Sequence, residues 1–371
     1  MKNLPTKHLC IDARMLSNSG IGTYLKNLIP RLKNDPNIML SLIVHPEAAK
    51  KEPWISSYSL LFSSAPIYSL QEQLQLPRII PTCDLFWSPH FAVPLLPIRA
   101  KKRIVTIHDL YHFAYFSTLK VTEKLYTKIV IPFAVKTAAK VFTISQFSLE
   151  EMKKHLSINP EKIAVIPNGS IDKKNLTQQK HQEILSKYNL PSRFFLFVGN
   201  CKPHKNIKGL IEAFANLHST DCYLVIVGKY KGFAHTENIH SLIQEKKLEK
   251  RVLVFSDITD EELPVFYSSA TAFVFPSFYE GFGLPPLEAM TYGCPVIASS
   301  AASIPEVCKE AALYINPYDK EELTKAMKEI ENNPILRESL RQKGIAHAQT
   351  FSWDITAQKY IKVLHEECFS S

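Results

Sequence analysis

No uninterrupted apolar run in this chain is long enough to cross a bilayer, which argues against a membrane-spanning helix. Its opening, Met1-Lys2-Asn3-Leu4-Pro5, lacks the apolar stretch of a secretory signal and leads straight into a strand pattern. The seven cysteines are odd in number and scattered, at Cys10, Cys83, Cys201, Cys222, Cys294, Cys308 and Cys368. None forms a Cys-x-x-Cys pair, and Cys201-x-x-His204 has no second pair to complete a zinc site. Free buried thiols in a reducing cytoplasm are therefore expected. A nucleic-acid-binding motif is also missing. So is the dinucleotide fingerprint: Gly20-x-Gly22 is followed by Thr23, Tyr24 and Leu25 rather than a third glycine. The second strand, ending Leu42-Ile43-Val44-His45, carries no acid for a ribose.

What is present suits two domains. The 371 residues are 46% hydrophobic and 11% aromatic, enough to bury large cores. Charge is uneven: residues 1–170 hold 21 Lys or Arg against 11 Asp or Glu, and the rest hold 23 against 24. A basic front half points to an anionic partner, and with no nucleic-acid motif the candidates are an anionic membrane surface and a phosphorylated lipid acceptor. Lys101-Lys102-Arg103 are expected before a strand, and Lys120, Lys124, Lys128, Lys136 and Lys140 on or near one helical face.

Short apolar runs alternate with amphipathic segments, the grammar of repeated βα units and parallel sheets. Strands are expected at His8–Ala13, Met39–Val44, Leu85–Ser88, Ile104–Ile107, Val141–Ile144 and Ala164–Ile166, with Ser145 as a helix N-cap. After the turn Pro167-Asn168-Gly169, the polar stretch 170–182 reads as a linker. A second series follows: Phe194–Val198, Tyr223–Val227, Val252–Phe255, Ala272–Phe275, Val296–Ala298 and Leu313–Ile315. The domains expected are 1–172, with a C-terminal helix 353–371 packing back on it, and 173–352. Open sheets of this kind bind ligands beyond the C-terminal ends of their strands.

Two strand-to-helix turns carry glycine there, Ser17–Thr23 and Gly199–Asn206. Glycine lets backbone N–H groups approach a phosphate, and Lys205 would add a full charge. The most informative segment is Pro276-Ser277-Phe278-Tyr279-Glu280-Gly281-Phe282-Gly283-Leu284-Pro285-Pro286-Leu287-Glu288. Two acids eight residues apart bracket a glycine-rich loop at a helix start, with Pro285 in the first turn. Carboxylates around an anion site suit a ligand with both phosphates and hydroxyl-rich rings.

This segment resembles the E-x7-E signature of the retaining GT-B glycosyltransferases of family 4, or group 1, which include bacterial mannosyltransferases. The likeness continues through Gly293-x-Pro295-Val296-Ile297, Ser303-Ile304-Pro305-Glu306-Val307, Thr106-Ile107-His108-Asp109 and Phe351-Ser352-Trp353. It implies an α/β fold of two Rossmann-like domains facing across a cleft, and transfer of a hexose, mannose favoured, from a nucleoside diphosphate sugar. Cell-surface polysaccharide or glycolipid synthesis is the implied setting.

By resemblance, Glu288 holds the ribose hydroxyls and Glu280 the donor sugar. Gly283 and Leu284 offer N–H groups to the diphosphate, Lys205 neutralises it, and Gly199 and Gly22 let backbone approach it. His108 lies near the transferred sugar, while Asp257 and Ile258 cradle the base. Many relatives carry an Arg where Asn200 or His204 stands, so Lys202 or His204 is the candidate replacement. No Asp-x-Asp occurs, consistent with a metal-independent enzyme whose only small-molecule requirement is the donor, GDP-mannose or a UDP-hexose. The acceptor is expected to be a saccharide or lipid-linked saccharide, and the location cytoplasmic, with peripheral attachment to the membrane's inner face. The competing expectations are a catalytically silent sugar-nucleotide-binding protein and an epimerase or phosphorylase of the same fold. Loss of Glu280, Glu288 or Lys205 would mark the silent protein, and all three are present.

Overall fold

The computed structural model describes residues 6–217, 219–228 and 239–369, so the opening Met1–Pro5 and the last two residues of the tail lie outside it. The chain divides into two compact units. One runs to Gly169 and resumes at Trp353; the other is Ser170–Ser352. This division falls three residues before the boundary expected after 172.

The first unit holds seven strands: β1 (Lys7–Asp12), β2 (Ile38–Val44), β3 (Ser59–Phe62), β4 (Cys83–Ser88), β5 (Ala100–Ile107), β6 (Lys140–Thr143) and β7 (Ile163–Val165). Their order is β3-β2-β1-β4-β5-β6-β7, every neighbouring pair parallel. The second unit holds β8 (Phe194–Val198), β9 (Tyr223–Val227), β10 (Val252–Phe255), β11 (Ala272–Phe275), β12 (Val296–Ser299) and β13 (Ala312–Ile315). Their order is β10-β9-β8-β11-β12-β13, again all parallel. Both sheets reverse winding direction between the first and fourth strands, which makes the crevice there the natural ligand position in each unit.

The continuous apolar strands lie inside, as parallel sheets covered on both faces require. Phe194, Phe195, Leu196 and Phe197 are all fully buried. Phe195 and Phe197 pack with Leu210, Ile211 and Phe214 of helix Ile207–Ala215 and with Met327 and Ile330 of helix Lys320–Asn332. In the first unit, Val105 and Ile107 of β5 join Val130, Ile131 and Ala134 of helix Val121–Thr137. The returning helix Trp353–Val363 completes this unit: Tyr24 donates a 2.6 Å hydrogen bond to the Tyr360 hydroxyl, and the Trp353 and Trp87 rings flank Tyr24.

Several elements differ from the sequence expectation. Edge strand β3 is only four residues long, too short to show a period. Helix Leu70–Ile79 contains Pro77, a breaker signal that hides it, although its Ser69 cap accepts from Glu72 N at 3.1 Å. The expected linker is partly helix, because Thr177 caps Gln178–Lys187. Lys140 does not sit on a helical face. It opens β6, is buried, and donates to the Glu161 carbonyl and the Glu367 carboxylate. Lys101, Lys102 and Arg103 lie within β5 rather than ahead of it. Among the described residues no helix is long and apolar enough to cross a membrane.

Candidate active site

In the second unit, the chain leaves β8 and β11 on either side of the reversal point. The turn after β8 is fixed by Gly199 N donating to the Val227 carbonyl at 2.9 Å and by Asn206, which adopts a left-handed conformation (φ 55°). The Asn206 side chain caps helix Ile207–Ala215 through Gly209 N, and its amide donates to the carbonyls of Pro276 (3.1 Å) and Pro317 (2.8 Å). Phe278 N donates to the His204 carbonyl at 2.7 Å. These bonds tie the turn carrying Lys205 to the loop carrying Glu280. Their side chains meet as a 2.7 Å ion pair, each only slightly exposed, with the Lys205 ammonium 5.4 Å from the centre of the Phe275 ring.

The loop after β11 ends at Gly283, whose φ of +109° suits glycine alone. Helix Leu284–Thr291 then starts with Pro285 and Pro286. A helix start leaves N–H groups unpaired, but two prolines have none, so the available donors concentrate at Gly283 and Leu284. Ser303 holds the loop from behind, donating towards the Glu280 carbonyl at 2.9 Å and the Phe282 carbonyl at 3.0 Å. One turn into the helix, Glu288 accepts a 3.0 Å hydrogen bond from the buried Tyr267 hydroxyl. Burial pushes the Glu288 carboxyl up to about 7, the Tyr267 bond opposing it and Asp260 adding to it.

The remaining expected residues fall in three places. Asp257 and Ile258 follow edge strand β10; Asp257 is exposed and accepts from Ser256 at 2.7 Å. His204 is buried, and burial with Lys205 and Lys202 nearby pulls its imidazole down to about 2. It is therefore neutral. Gly22 and His108 belong to the first unit. Gly22 lies in the first turn of helix Ser19–Leu32, where a Cβ would come within 2.5 Å of the Leu16 carbonyl oxygen. His108 follows β5 and donates from Nε2 to the Pro89 carbonyl at 2.8 Å, its ring edge-on to Tyr24. Burial lowers its pKa, so the ring is neutral. Its neighbour Asp109 accepts from Tyr111 N at 3.0 Å, a turn-forming role.

Sequence reasoning passed over Tyr267, the partner of Glu288, and gave Ser303 no role beyond its place in the family likeness, although it holds the Glu280 loop. It also passed over a buried triad at the end of β1: Arg14 forks onto Asp12 (2.8 and 2.7 Å) and reaches Glu72 at 2.7 Å. The Ser69-x-x-Glu72 spacing was a legible cap signature, but the carboxylate of Glu72 turns instead to Arg14 and to Tyr68 N. Among the described residues no three His, Cys, Asp or Glu side chains gather as a metal site would require.

Two doubly wound parallel-sheet units, one presenting backbone donors, a lysine and two carboxylates beyond its strand ends, define a two-domain α/β protein of the Rossmann-like class. Sequence comparison makes the class specific. The family Glycosyl transferases group 1 matches residues 179–347, and Glycosyltransferase Family 4 matches residues 18–171. The chain belongs to the group 1 glycosyltransferases. It is 32% identical over 250 residues to the O-antigen chain mannosyltransferase RfbU of Salmonella typhimurium, across 67% of this chain and 65% of that one. Over 274 residues it is 30% identical to the O-antigen chain mannosyltransferase B of Escherichia coli, across 73% of this chain and 71% of the other. The first of these relatives is thus matched over just under two thirds of its length. The structure of Anabaena HepE in complex with UDP-glucose has the same fold, with a TM-score of 0.78 at 16% identity over 97% of this chain and 99% of that one.

Proposed function

We propose that this chain is a retaining, metal-independent mannosyltransferase that moves mannose from GDP-mannose to a hydroxyl of a saccharide or lipid-linked saccharide during cell-surface polysaccharide synthesis. The observation that carries the reading is the cluster in the second unit: the Lys205–Glu280 pair on loops stapled together beside the Gly283–Leu284 donors, with Glu288 on the same helix. Similarity to two O-antigen chain mannosyltransferases supports mannose as the sugar.

Cleavage of the donor builds negative charge on the departing diphosphate. Lys205 and the Leu284 N–H would stabilise that charge from fixed positions, so they need no rearrangement as the bond breaks. Glu280 would hold sugar hydroxyls while keeping Lys205 in place. Glu288 would accept from the ribose. No residue is assigned as a covalent nucleophile. The first unit would bind the acceptor, and its positive charge would favour work at the anionic inner face of a membrane.

The test is calorimetric titration of GDP and of UDP into the protein, repeated with Glu288→Ala. Binding of GDP over UDP that collapses in the variant is the expected result. Binding of neither nucleotide would overturn the reading, and preference for UDP would replace the donor. Transfer activity should also survive EDTA; its loss would overturn metal independence.

A further inference from the structure

The first unit gathers a second set of polar and aromatic side chains beyond its strand ends, and the reaction above uses none of them. Asp12 closes β1, Arg14 follows it, His90 follows β4, and Glu72 stands in the first turn of helix Leu70–Ile79. Arg14 spends its guanidinium on Asp12, Glu72 and, at 3.3 Å, the Ala65 carbonyl. Glu72 in turn accepts from Tyr68 N at 2.6 Å. The buried triad thus holds the stretch 65–68 at both ends. There Tyr68 adopts a left-handed backbone (φ 65°), unfavourable for a bulky residue. Local strain held in place by buried charge marks a positioned side chain rather than an idle loop.

What the triad positions is a ring. Tyr68 remains 44% exposed and stacks on Phe91 with ring centres 5.4 Å apart. It meets Tyr126 and His90 edge-on at 5.1 and 6.4 Å. Each of those two neighbours carries a buried polar atom with no hydrogen-bond partner, the Tyr126 hydroxyl and His90 Nε2. His90 is almost wholly buried, and its Nδ1 accepts from Ala92 N at 3.0 Å. Burial pulls its imidazole down to about 4, opposed by Asp12 and helped by Arg14 and His108. The ring is therefore neutral, with its one proton on Nε2. That N–H stands 3.8 Å from Asp12 Oδ2, too far for a hydrogen bond. Buried donors left unspent are costly, and here two polar atoms of that kind adjoin one exposed ring.

The ligand these groups fit is an uncharged pyranose. Its C–H face suits an aromatic ring, while its hydroxyls can accept from His90 Nε2 and bond the Tyr126 oxygen. A phosphate fits poorly, because Arg14 is already enclosed by two carboxylates.

We propose that Tyr68, Tyr126 and His90 form a subsite of the first unit for a neutral sugar ring of the acceptor, with Arg14 and Glu72 as positioning residues. The subsite rests on the acceptor role given to the first unit above. Its test is saturation-transfer NMR on the full chain, with GDP present, against methyl α-glycosides of mannose, glucose, galactose and N-acetylglucosamine. At least one is expected to bind. Glycine suits a φ of 65°, so Tyr68→Gly removes the ring without disturbing the loop and should abolish the signal. Tyr68→Phe should keep it. Tyr126→Phe should weaken affinity about three- to tenfold, the scale of one hydrogen bond. Glu72→Ala should lose the sugar with GDP affinity unchanged, and Glu72→Gln, which still accepts from Tyr68 N, should recover most of it. Tyr318→Ala, at an exposed ring of the second unit, should change nothing.

No binding by any of the four glycosides, undiminished binding by Tyr68→Gly, or tighter binding of mannose 6-phosphate than of methyl mannoside would each overturn the subsite. GDP titration of the same samples keeps the two readings apart. GDP binding without sugar binding removes the subsite and leaves the transferase standing. Sugar binding that Tyr68→Gly abolishes, in protein that ignores GDP, keeps a sugar site but ends its role in transfer.

Discussion

Glu288 and Lys205 show how burial and pairing set the chemistry of single residues. Because burial raises the Glu288 carboxyl to about 7, ionisation of this side chain falls within the working pH range. Two ribose hydroxyls are best accepted by the ionised form. The affinity advantage of wild type over Glu288→Gln for GDP should therefore grow as pH rises through about 7. The comparison with the variant cancels the titration of the diphosphate itself, and a constant ratio across that range would remove Glu288 from the ribose. Stability moves the other way. A carboxyl raised above its unfolded value of about 4.3 contributes stability that is fully present below that value. That contribution is lost as pH climbs through about 7, so Glu288→Gln should gain on wild type in melting temperature between acid and mildly alkaline pH. Lys205→Ala should lower turnover about 10²–10³-fold, the scale of removing one fixed donor from a developing anion. Wild-type turnover in a folded Lys205→Ala protein would end its assigned role.

At this scale the sequence names the acids and the lysine through spacing and resemblance, but not what holds them. Tyr267 is 21 residues from Glu288 and Ser303 is 23 from the Glu280 carbonyl. A hydroxyl's partner across such a distance leaves no local pattern. The charge state of His204 likewise turns on burial, which only the folded chain supplies.

Among the elements, the turn after β8 and the loop after β11 depend on Asn206 more than on any glycine. Its left-handed backbone, its cap on Gly209 N and its two bonds to proline carbonyls come from one side chain. Asn206→Ala would lose the cap and leave two buried carbonyls without that donor, costing about 2–4 kcal/mol by denaturant titration. It should also raise KM for the donor, since Lys205 and Glu280 would no longer be held on adjoining loops. A loss below about 0.5 kcal/mol, the level typical of an unremarkable surface change, would show that the two loops hold together without it. Strands of the second unit were legible because apolar runs such as Phe194–Val198 are covered on both faces and cannot be mistaken for loop. Strand β3 and helix Leu70–Ile79 were not, because one is a four-residue edge and the other carries Pro77 inside it.

For the molecule as a whole, the two units have cores of their own, and the first is completed by residues that lie some three hundred positions from its start. Sequence placed the boundary within three residues of the observed division because turn chemistry at Pro167–Gly169 coincides with a change in composition. What it could not show is how the tail is held: Trp353 and Tyr360 are buried against Tyr24 and Trp87, a contact set by tertiary packing. These two facts give separate handles on the two units. Removing the buried indole with Trp353→Ala should cost the first unit about 3–5 kcal/mol. GDP at a hundred times its dissociation constant should stabilise the unit that binds it by about 2.7 kcal/mol. Scanning calorimetry is then expected to resolve two transitions, one lowered by Trp353→Ala and the other raised by GDP. If GDP instead raised the transition that Trp353→Ala lowers, the nucleotide site would belong to the first unit, and the roles assigned to Lys205, Glu280 and Glu288 would fall together.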